Sequence, residues 1–300
     1  MNDPLALNDP LAAIRGSLRA RVDGWATMDL ATIRSDFAAY MAEVGPMGAA
    51  AARPVHDTIG GVPGVWIGDR DAPPGLFVHG GGFQIGGVGS HGGLVVRLAV
   101  STGLRLWLPE YRLAPEHRFP AAIDDIQRTY QGMIKAGQAP LAIMGDSAGG
   151  ALALLAAMGA RDMGLTAARA VILLSPWLDL SLSGDSYRNL ADRDPFSKTP
   201  QLRAMAHSYL GREGPDKNDP QVSPLFGDLE RLPPILIHAG DNDITVDDSH
   251  ALHARGAKGV TLSVYPGMCH HFQVFEELPQ AAESLAAIGA WLDPILKRAT

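Results

Sequence analysis

Cysteine is nearly absent from this chain. Cys269 is the only one in 300 residues, so no internal disulfide framework exists and a cytoplasmic location is the expectation. Positive charge is scarce as well: 25 Lys and Arg face 32 Asp and Glu, for a formal net charge of −7. No basic field is left to hold nucleic acid or an anionic membrane. Long apolar runs are missing. The longest, near 151–160, stops at Arg161 and Asp162 and is too short to span a bilayer. The first ten residues lack the basic-then-apolar order of a secretory leader. Cofactor fingerprints are missing too. No Gly-Lys-Ser/Thr occurs, so there is no P-loop, and Gly80-x-Gly82-x-x is followed by Ile85 where a dinucleotide site needs its third glycine. Without His-Glu-x-x-His, and with one cysteine, no zinc pattern remains. No cofactor and no metal are therefore expected.

What is present is a folding composition, 46% hydrophobic and 19% charged. Glycine and proline are frequent and spread along the chain, which suits many turns between short elements. The first fifty residues have helical character. Asn2-Asp3-Pro4-Leu5-Ala6 recurs as Asn8-Asp9-Pro10-Leu11-Ala12, each copy offering an Asp cap before a first-turn proline. Ile14, Leu18 and Val22 share one face, as do Ile33, Phe37, Met41 and Val44.

From about Arg53 the pattern changes to short apolar runs bounded by turn residues, at 62–67, 76–78, 104–108, 141–144, 170–174, 235–237 and 261–264. Runs of this kind suit strands covered on both faces. Helical patterns at 94–99, 121–134 and 151–158 lie between them, so the spacing predicts an α/β fold with a mostly parallel sheet. The stretch 175–234 breaks the alternation. In it Thr199-Pro200 opens a helix whose apolar face is Leu202, Met205, Ala206, Tyr209 and Leu210, and Gly211 ends it. The expectation is a lid that packs with the N-terminal helices.

The strongest motif is Gly145-Asp146-Ser147-Ala148-Gly149-Gly150, between an apolar run and a helix of small residues. A strand–turn–helix that presents Ser147 needs small residues two before and two after it, and Gly145 and Gly149 meet that demand. The second motif, His79-Gly80-Gly81-Gly82-Phe83, follows another apolar run. Acyl transfer passes through a tetrahedral oxyanion that backbone N–H groups must reach, and glycines leave them unobstructed. The candidate donors are Gly81, Gly82 and Ala148. An acid and a base must follow in that chain order. The turn after 235–237 holds Asp241, Asp243, Asp247 and Asp248, and the turn after 261–264 holds Cys269, His270 and His271.

Taken together, these motifs resemble the bacterial hormone-sensitive-lipase family of α/β-hydrolase esterases, the group with HGGG and GDSAG. The resemblance extends through Tyr111-Arg112-Leu113-Ala114-Pro115-Glu116-His117, Ser175-Pro176-Trp177-Leu178-Asp179 and Ser223-Pro224-Leu225, over roughly residues 60–295. It implies an α/β-hydrolase fold with about eight strands and a helical cap. The cap would comprise 1–50 and 181–215, and the catalytic core 51–180 and 216–300. It implies Ser147 as nucleophile. Asp243 matches the first position of the family's Asp-Pro-Leu-x-Asp stretch, with Ile244 and Thr245 in place of Pro and Leu. His270 matches the base in Gly-x-x-His-Gly-Phe, with His271 in place of the glycine. His271 is expected to be a second, partly exposed histidine without a role, Cys269 a small buried side chain, and Asp146 a fixed support of the turn. The segment 111–117 is expected to brace the glycine loop.

The implied activity is hydrolysis of short- to medium-chain carboxylic esters through an acyl-enzyme, with a small-molecule ester as the partner. Lactones, carbonates and amides share this chemistry. Ligand receptors on the same fold lose the histidine, which is kept here. A homodimer rests on the family resemblance alone.

Overall fold

The computed structural model describes residues 11–48, 54–256 and 259–297. The Asn-Asp-Pro repeat and the expected boundary at 50/51 lie outside them. Strands β1 (Val55–Ile59), β2 (Val62–Ile67), β3 (Pro74–Val78), β4 (Arg105–Pro109), β5 (Ala142–Asp146), β6 (Ala170–Leu174), β7 (Ile235–Gly240) and β8 (Val260–Tyr265) form one sheet in the order β1-β2-β4-β3-β5-β6-β7-β8. β2 runs antiparallel to both of its neighbours, and every other pairing is parallel.

The helices are α1 (Ala12–Gly24), α2 (Leu30–Val44), α3 (Val88–Thr102), α4 (Ala121–Lys135), α5 (Ser147–Asp162), α6 (Ser186–Asn189), α7 (Thr199–Leu210), α8 (Val246–Gly256) and α9 (Pro279–Lys297). The strand period of two explains the continuous apolar runs. Leu76, Val78, Ile143, Val171, Leu173 and Ile237 turn to one face, where α4 and α5 bring Ile126, Tyr130, Leu152 and Leu155. Phe77, Met144, Ile172, Leu174 and Leu236 turn to the other, against Leu94, Leu98, Leu285 and Ile288 of α3 and α9. Fully burying one such side chain stabilises the fold by roughly 1.5–3 kcal/mol.

The N-terminal helices sit over the carboxyl ends of the strands. Ile14, Leu18 and Val22 of α1 and Phe37 and Met41 of α2 join Trp25 and Phe196 in a separate apolar cluster. Asp29 caps α2 by accepting from the Thr32 N–H at 2.8 Å. Asp36 then ties the two helices together, accepting from Arg21 Nη1 at 2.6 Å and Trp25 Nε1 at 2.7 Å. Two polar links join α1 to the stretch before α7: the Lys198 ammonium meets Asp23, and the Arg19 guanidinium donates to the Asp192 carbonyl. α7 rests on the glycine loop, where the Tyr209 ring stacks on Phe83 with centroids 4.0 Å apart. No helix among the described residues is long and apolar enough to cross a membrane.

Candidate active site

Loops at the carboxyl ends of β3, β5, β7 and β8 meet at one place, where open α/β sheets carry their sites. Ser147 lies in the tight turn from β5 into α5 with φ +49°. A Cβ on Gly149 would come within 2.2 Å of the Val78 carbonyl, and one on Gly145 within 2.3 Å of the Gly149 carbonyl. The turn therefore closes only with glycine at both places.

The acid loop leaves β7 and the base loop leaves β8. Asn242 N–H donates to the Met268 carbonyl at 2.9 Å and holds the two loops side by side. His270 Nδ1–H can then donate to Asp243 Oδ1 at 2.9 Å, and His270 Nε2 faces Ser147 Oγ, also at 2.9 Å. Thr245 donates to the same Asp243 oxygen through its N–H and its hydroxyl, at 2.8 and 2.9 Å. These bonds fix the carboxylate, and the carboxylate fixes the imidazole tautomer. In the neutral ring, that tautomer turns the Nε2 lone pair toward the Ser147 hydroxyl.

Gly81 and Gly82, at φ +108° and +59°, line the cavity beside Ser147 and His270. Their N–H groups have no hydrogen-bond partner among the described residues. Ala148 N–H belongs to the first turn of α5, whose amides have no intrahelical acceptor. This cavity is small, about 30 Å³. It shares Trp25, Ile85, Gln201 and Met205 with a larger pocket of about 540 Å³, formed by α1, α2 and α7 with Val22, Leu30, Ile33 and Pro200. A serine hydroxyl, an imidazole, a carboxylate and unpaired amide N–H groups thus converge beside an apolar pocket.

The sequence profile of the alpha/beta hydrolase fold matches residues 75–274. The chain belongs to the α/β-hydrolase family. An acetyl-hydrolase of Streptomyces hygroscopicus is 34% identical over 243 residues, covering 78% of this chain and 81% of that protein. An esterase of Acinetobacter venetianus is 36% identical over 219 residues, covering 71% and 72%. Among solved structures, an esterase from the bacterial hormone-sensitive lipase family superposes with a TM-score of 0.87 at 31% identity, over 95% of this chain and 97% of that one. EstE5, soaked with p-nitrophenyl butyrate, gives 0.87 at 29% identity, over 96% and 99%. The bacterial hormone-sensitive-lipase esterases are the family that the HGGG and GDSAG motifs resemble.

In this hydrolase the glycine loop is braced from three sides. Asp146 Oδ1 accepts from Gly80 N–H at 3.0 Å, and the Tyr111 hydroxyl donates to the His79 carbonyl at 2.8 Å. Arg34 of α2 forks onto Glu116 at 2.8 Å on both nitrogens and also donates to the Gln84 and Ala114 carbonyls. Residues 111–117 thus support the loop, as the family resemblance implies.

Electrostatics separates the two adjacent histidines. Burial works against charge on His270, but the Asp243 charge and hydrogen bond override it, with help from Asp194 and Asp146, and push the imidazole up to about 9. Burial also pulls Asp243 upward, yet His270 and Thr245 hold it below its ordinary value. His271 is buried, against the expectation of partial exposure: its backbone takes φ +56°, and its ring turns inward with Nε2 at 3.5 Å from Asp146 Oδ2. Burial lowers it to about 4. His91 meets the same carboxylate oxygen at 3.4 Å. His79, stacked on Tyr111, is lowered by burial to about 3. Asp146, though buried, is held well below its ordinary value by the imidazoles around it.

The other sequence candidates fall elsewhere. Asp241 accepts from Gly267 N–H at the surface, Asp247 from Ser186 N–H, and Asp248 from Leu178 N–H, Asp179 N–H and the Tyr187 hydroxyl. Cys269 is fully buried and its thiol is pushed well up by burial, which leaves little thiolate. Two sets of side chains bring three metal-type donors within 4.8 Å of one another among the described residues: His91, Asp146 and His271, and Asp194, Asp243 and His270. In both, imidazole nitrogens lie 2.9–3.5 Å from carboxylate oxygens, contacts that imidazole and carboxylate make with each other without a metal.

Sequence reading missed His91 and Asp194. Asp194 has no motif of its own, and its contact lies fifty positions away at the Ile244 N–H.

Proposed function

We propose that this chain is a carboxylic ester hydrolase that acts through Ser147, His270 and Asp243, with Gly81, Gly82 and Ala148 N–H groups as the oxyanion site. The observation that carries the reading is the pair of 2.9 Å contacts that run from Ser147 Oγ through the His270 ring to Asp243 Oδ1. His270 Nε2 takes the Ser147 proton while Oγ attacks the ester carbonyl. The carbonyl oxygen gains charge and is met by the free amides. His270 then returns the proton to the departing alcohol oxygen, leaving an acyl-enzyme. Water attacks next, gives its proton to the same nitrogen, and the acid leaves as Ser147 is restored. Asp243 holds the tautomer and stabilises the imidazolium throughout.

The substrate class is short- to medium-chain esters. The apolar pocket between α1, α2 and α7 supports this choice, as do relatives named esterase, acetyl-hydrolase and ethyl acetate hydrolase. That pocket also supports the division into a cap, 1–50 and 181–215, over a core of 51–180 and 216–300.

The test is hydrolysis of p-nitrophenyl butyrate by wild type and by Ser147→Ala. Turnover should fall by about 10⁶ in kcat in the variant. Equal rates in both proteins would refute the assignment of the nucleophile.

A further inference from the structure

Asp194 is a fully buried carboxylate in the stretch leading to α7, and no lysine or arginine among the described residues pairs with it. Its oxygens are held by backbone amides. Oδ1 accepts from Phe196 N–H at 2.8 Å and from Ser197 N–H at 3.4 Å. Oδ2 reaches across to the acid loop and accepts from Ile244 N–H at 2.9 Å, next to Asp243 in the chain. One oxygen of Asp194, one of Asp243 and a ring nitrogen of His270 lie within 4.8 Å of one another. Asp243 Oδ2 is buried beside the Ser175 hydroxyl, and no lysine or arginine among the described residues stands between the two carboxylates.

We propose that Asp194 is a positioning residue for ester hydrolysis: it raises the basicity of His270 and fixes the loop that carries Asp243. The inference rests on the proposed roles of Ser147, His270 and Asp243. With His270 neutral, two buried carboxylates face each other and no cation offsets them. When His270 takes the Ser147 proton, the imidazolium lies between both. The second carboxylate therefore favours the charge that develops in the transition state. No proton moves to or from Asp194 in this step. The proton passes from Ser147 Oγ to His270 Nε2, and Nδ1 stays bonded to Asp243.

The same field has an opposing effect on the resting enzyme. A more basic His270 is protonated, and idle as a base, up to a higher pH. Removing the Asp194 charge should therefore lower the plateau rate and also extend activity toward acid. Burial, with the Asp243 charge behind it, pushes Asp194 itself up to about 6, so its charge is present through the neutral and alkaline range. The other groups that face this set are unaltered by the test. They are Asp146 from the turn at Ser147, Cys269 and His271 from the base loop, Tyr187 near Asp243 with Asp248 and Asp179 against Tyr187, and Arg15 near Cys269.

The experiment is the pH profile of kcat/KM and kcat for wild type, Asp194→Asn and Asp194→Ser on p-nitrophenyl butyrate. The serine hydroxyl can keep the local turn by accepting from Phe196 N–H. Both variants should lose about tenfold in plateau kcat, with the acid limb moved down by about one pH unit. A role in folding alone would lower the rate at every pH and leave the limb in place, and that outcome overturns the proposal.

A second readout needs no turnover. The downfield Nδ1 proton of His270, followed by NMR in Ser147→Ala, should titrate about one unit lower once Asp194→Asn is added. Identical titrations would also overturn the proposal. Equal esterase rates in wild type and Ser147→Ala would instead sink the functional reading, while this NMR comparison still reports on the Asp194–His270 coupling.

Discussion

Two buried networks flank Ser147, and they are built from the same two residue types in opposite proportions. On the acid-loop side, Asp243 and Asp194 surround one imidazole, His270. On the elbow side, His271 and His91 meet one carboxylate, Asp146, with His79 close behind. The first arrangement pushes its imidazole up to about 9, while the second lets burial hold His271 near 4. His270 and His271 are neighbours in the chain and equally buried, so burial does not decide which of them can carry a proton. The count of carboxylates against imidazoles decides it. One network favours charge on its imidazole; the other keeps a single anion in place beneath the glycine loop.

The largest effect should come from the acid side. Asp243→Asn removes the acceptor that fixes the His270 tautomer, and kcat should fall about 10⁴-fold while Tm changes little. Parallel Asp→Asn changes at Asp241 and Asp247 should leave kcat within a few-fold of wild type. If Asp241→Asn or Asp247→Asn matched the Asp243 variant, the separation between the two networks would fail.

On the elbow side the expected loss is stability first. Asp146→Asn replaces the charged acceptor of the Gly80 N–H and removes the anion that His271 and His91 face, and should cost up to about 3 kcal/mol of unfolding free energy at pH 7. Asp146 is held well below its ordinary value, so its contribution is present above the unfolded-state pKa near 4 and fades as the pH falls further. The wild-type and variant stabilities should accordingly converge in acid. Urea melts at pH 7 and pH 3 would check this, and a constant gap would contradict it.

His271 gives a smaller effect with a definite sign. Its folded pKa is depressed, from 6.5 to about 4, chiefly by burial. Its contribution is therefore full above about 6.5 and is lost as the pH falls toward 4, by up to about 3 kcal/mol. His271→Asn suits the φ of +56° and removes this titration. Its Tm should drop less between pH 8 and pH 5 than that of wild type, with kcat within a few-fold. An unchanged drop would mean that His79 dominates the acid response.

The sequence reveals these two regions unequally. The turn at Ser147 is legible because its demand is local: glycines at 145 and 149 answer contacts within a few residues and with the neighbouring strand. The central strands are legible because both faces are buried. β1 is not, since four of its five residues are exposed and it pairs only with β2 at the sheet edge. Asp243 needed the family resemblance, because four carboxylates share one loop, and its aim at His270 depends on the Asn242–Met268 link and on the bonds of Thr245 and Ile244, which no motif announces. Asp194 and His91 were hidden for a different reason. Their roles arise from contacts far apart in the chain, with a backbone amide in one case and a shared carboxylate in the other. The inward turn of His271 belongs with them, since side-chain polarity alone suggests solvent.

The smallest effect concerns Cys269, which stands beside both histidines in sequence and belongs to neither network chemically. Its side chain is fully buried, and its sulfhydryl points at the His270 carbonyl at 3.4 Å. Burial and the charges of Asp194 and Asp243 keep it a thiol, so it offers neither a nucleophile nor a proton at working pH. Cys269→Ala removes one buried sulfur and should cost only about 1 kcal/mol, with kcat and the acid limb of kcat/KM unmoved. A limb that shifted on this change would mean that the acid-loop field depends on a third group, and that counting carboxylates against imidazoles is too simple a rule for this site.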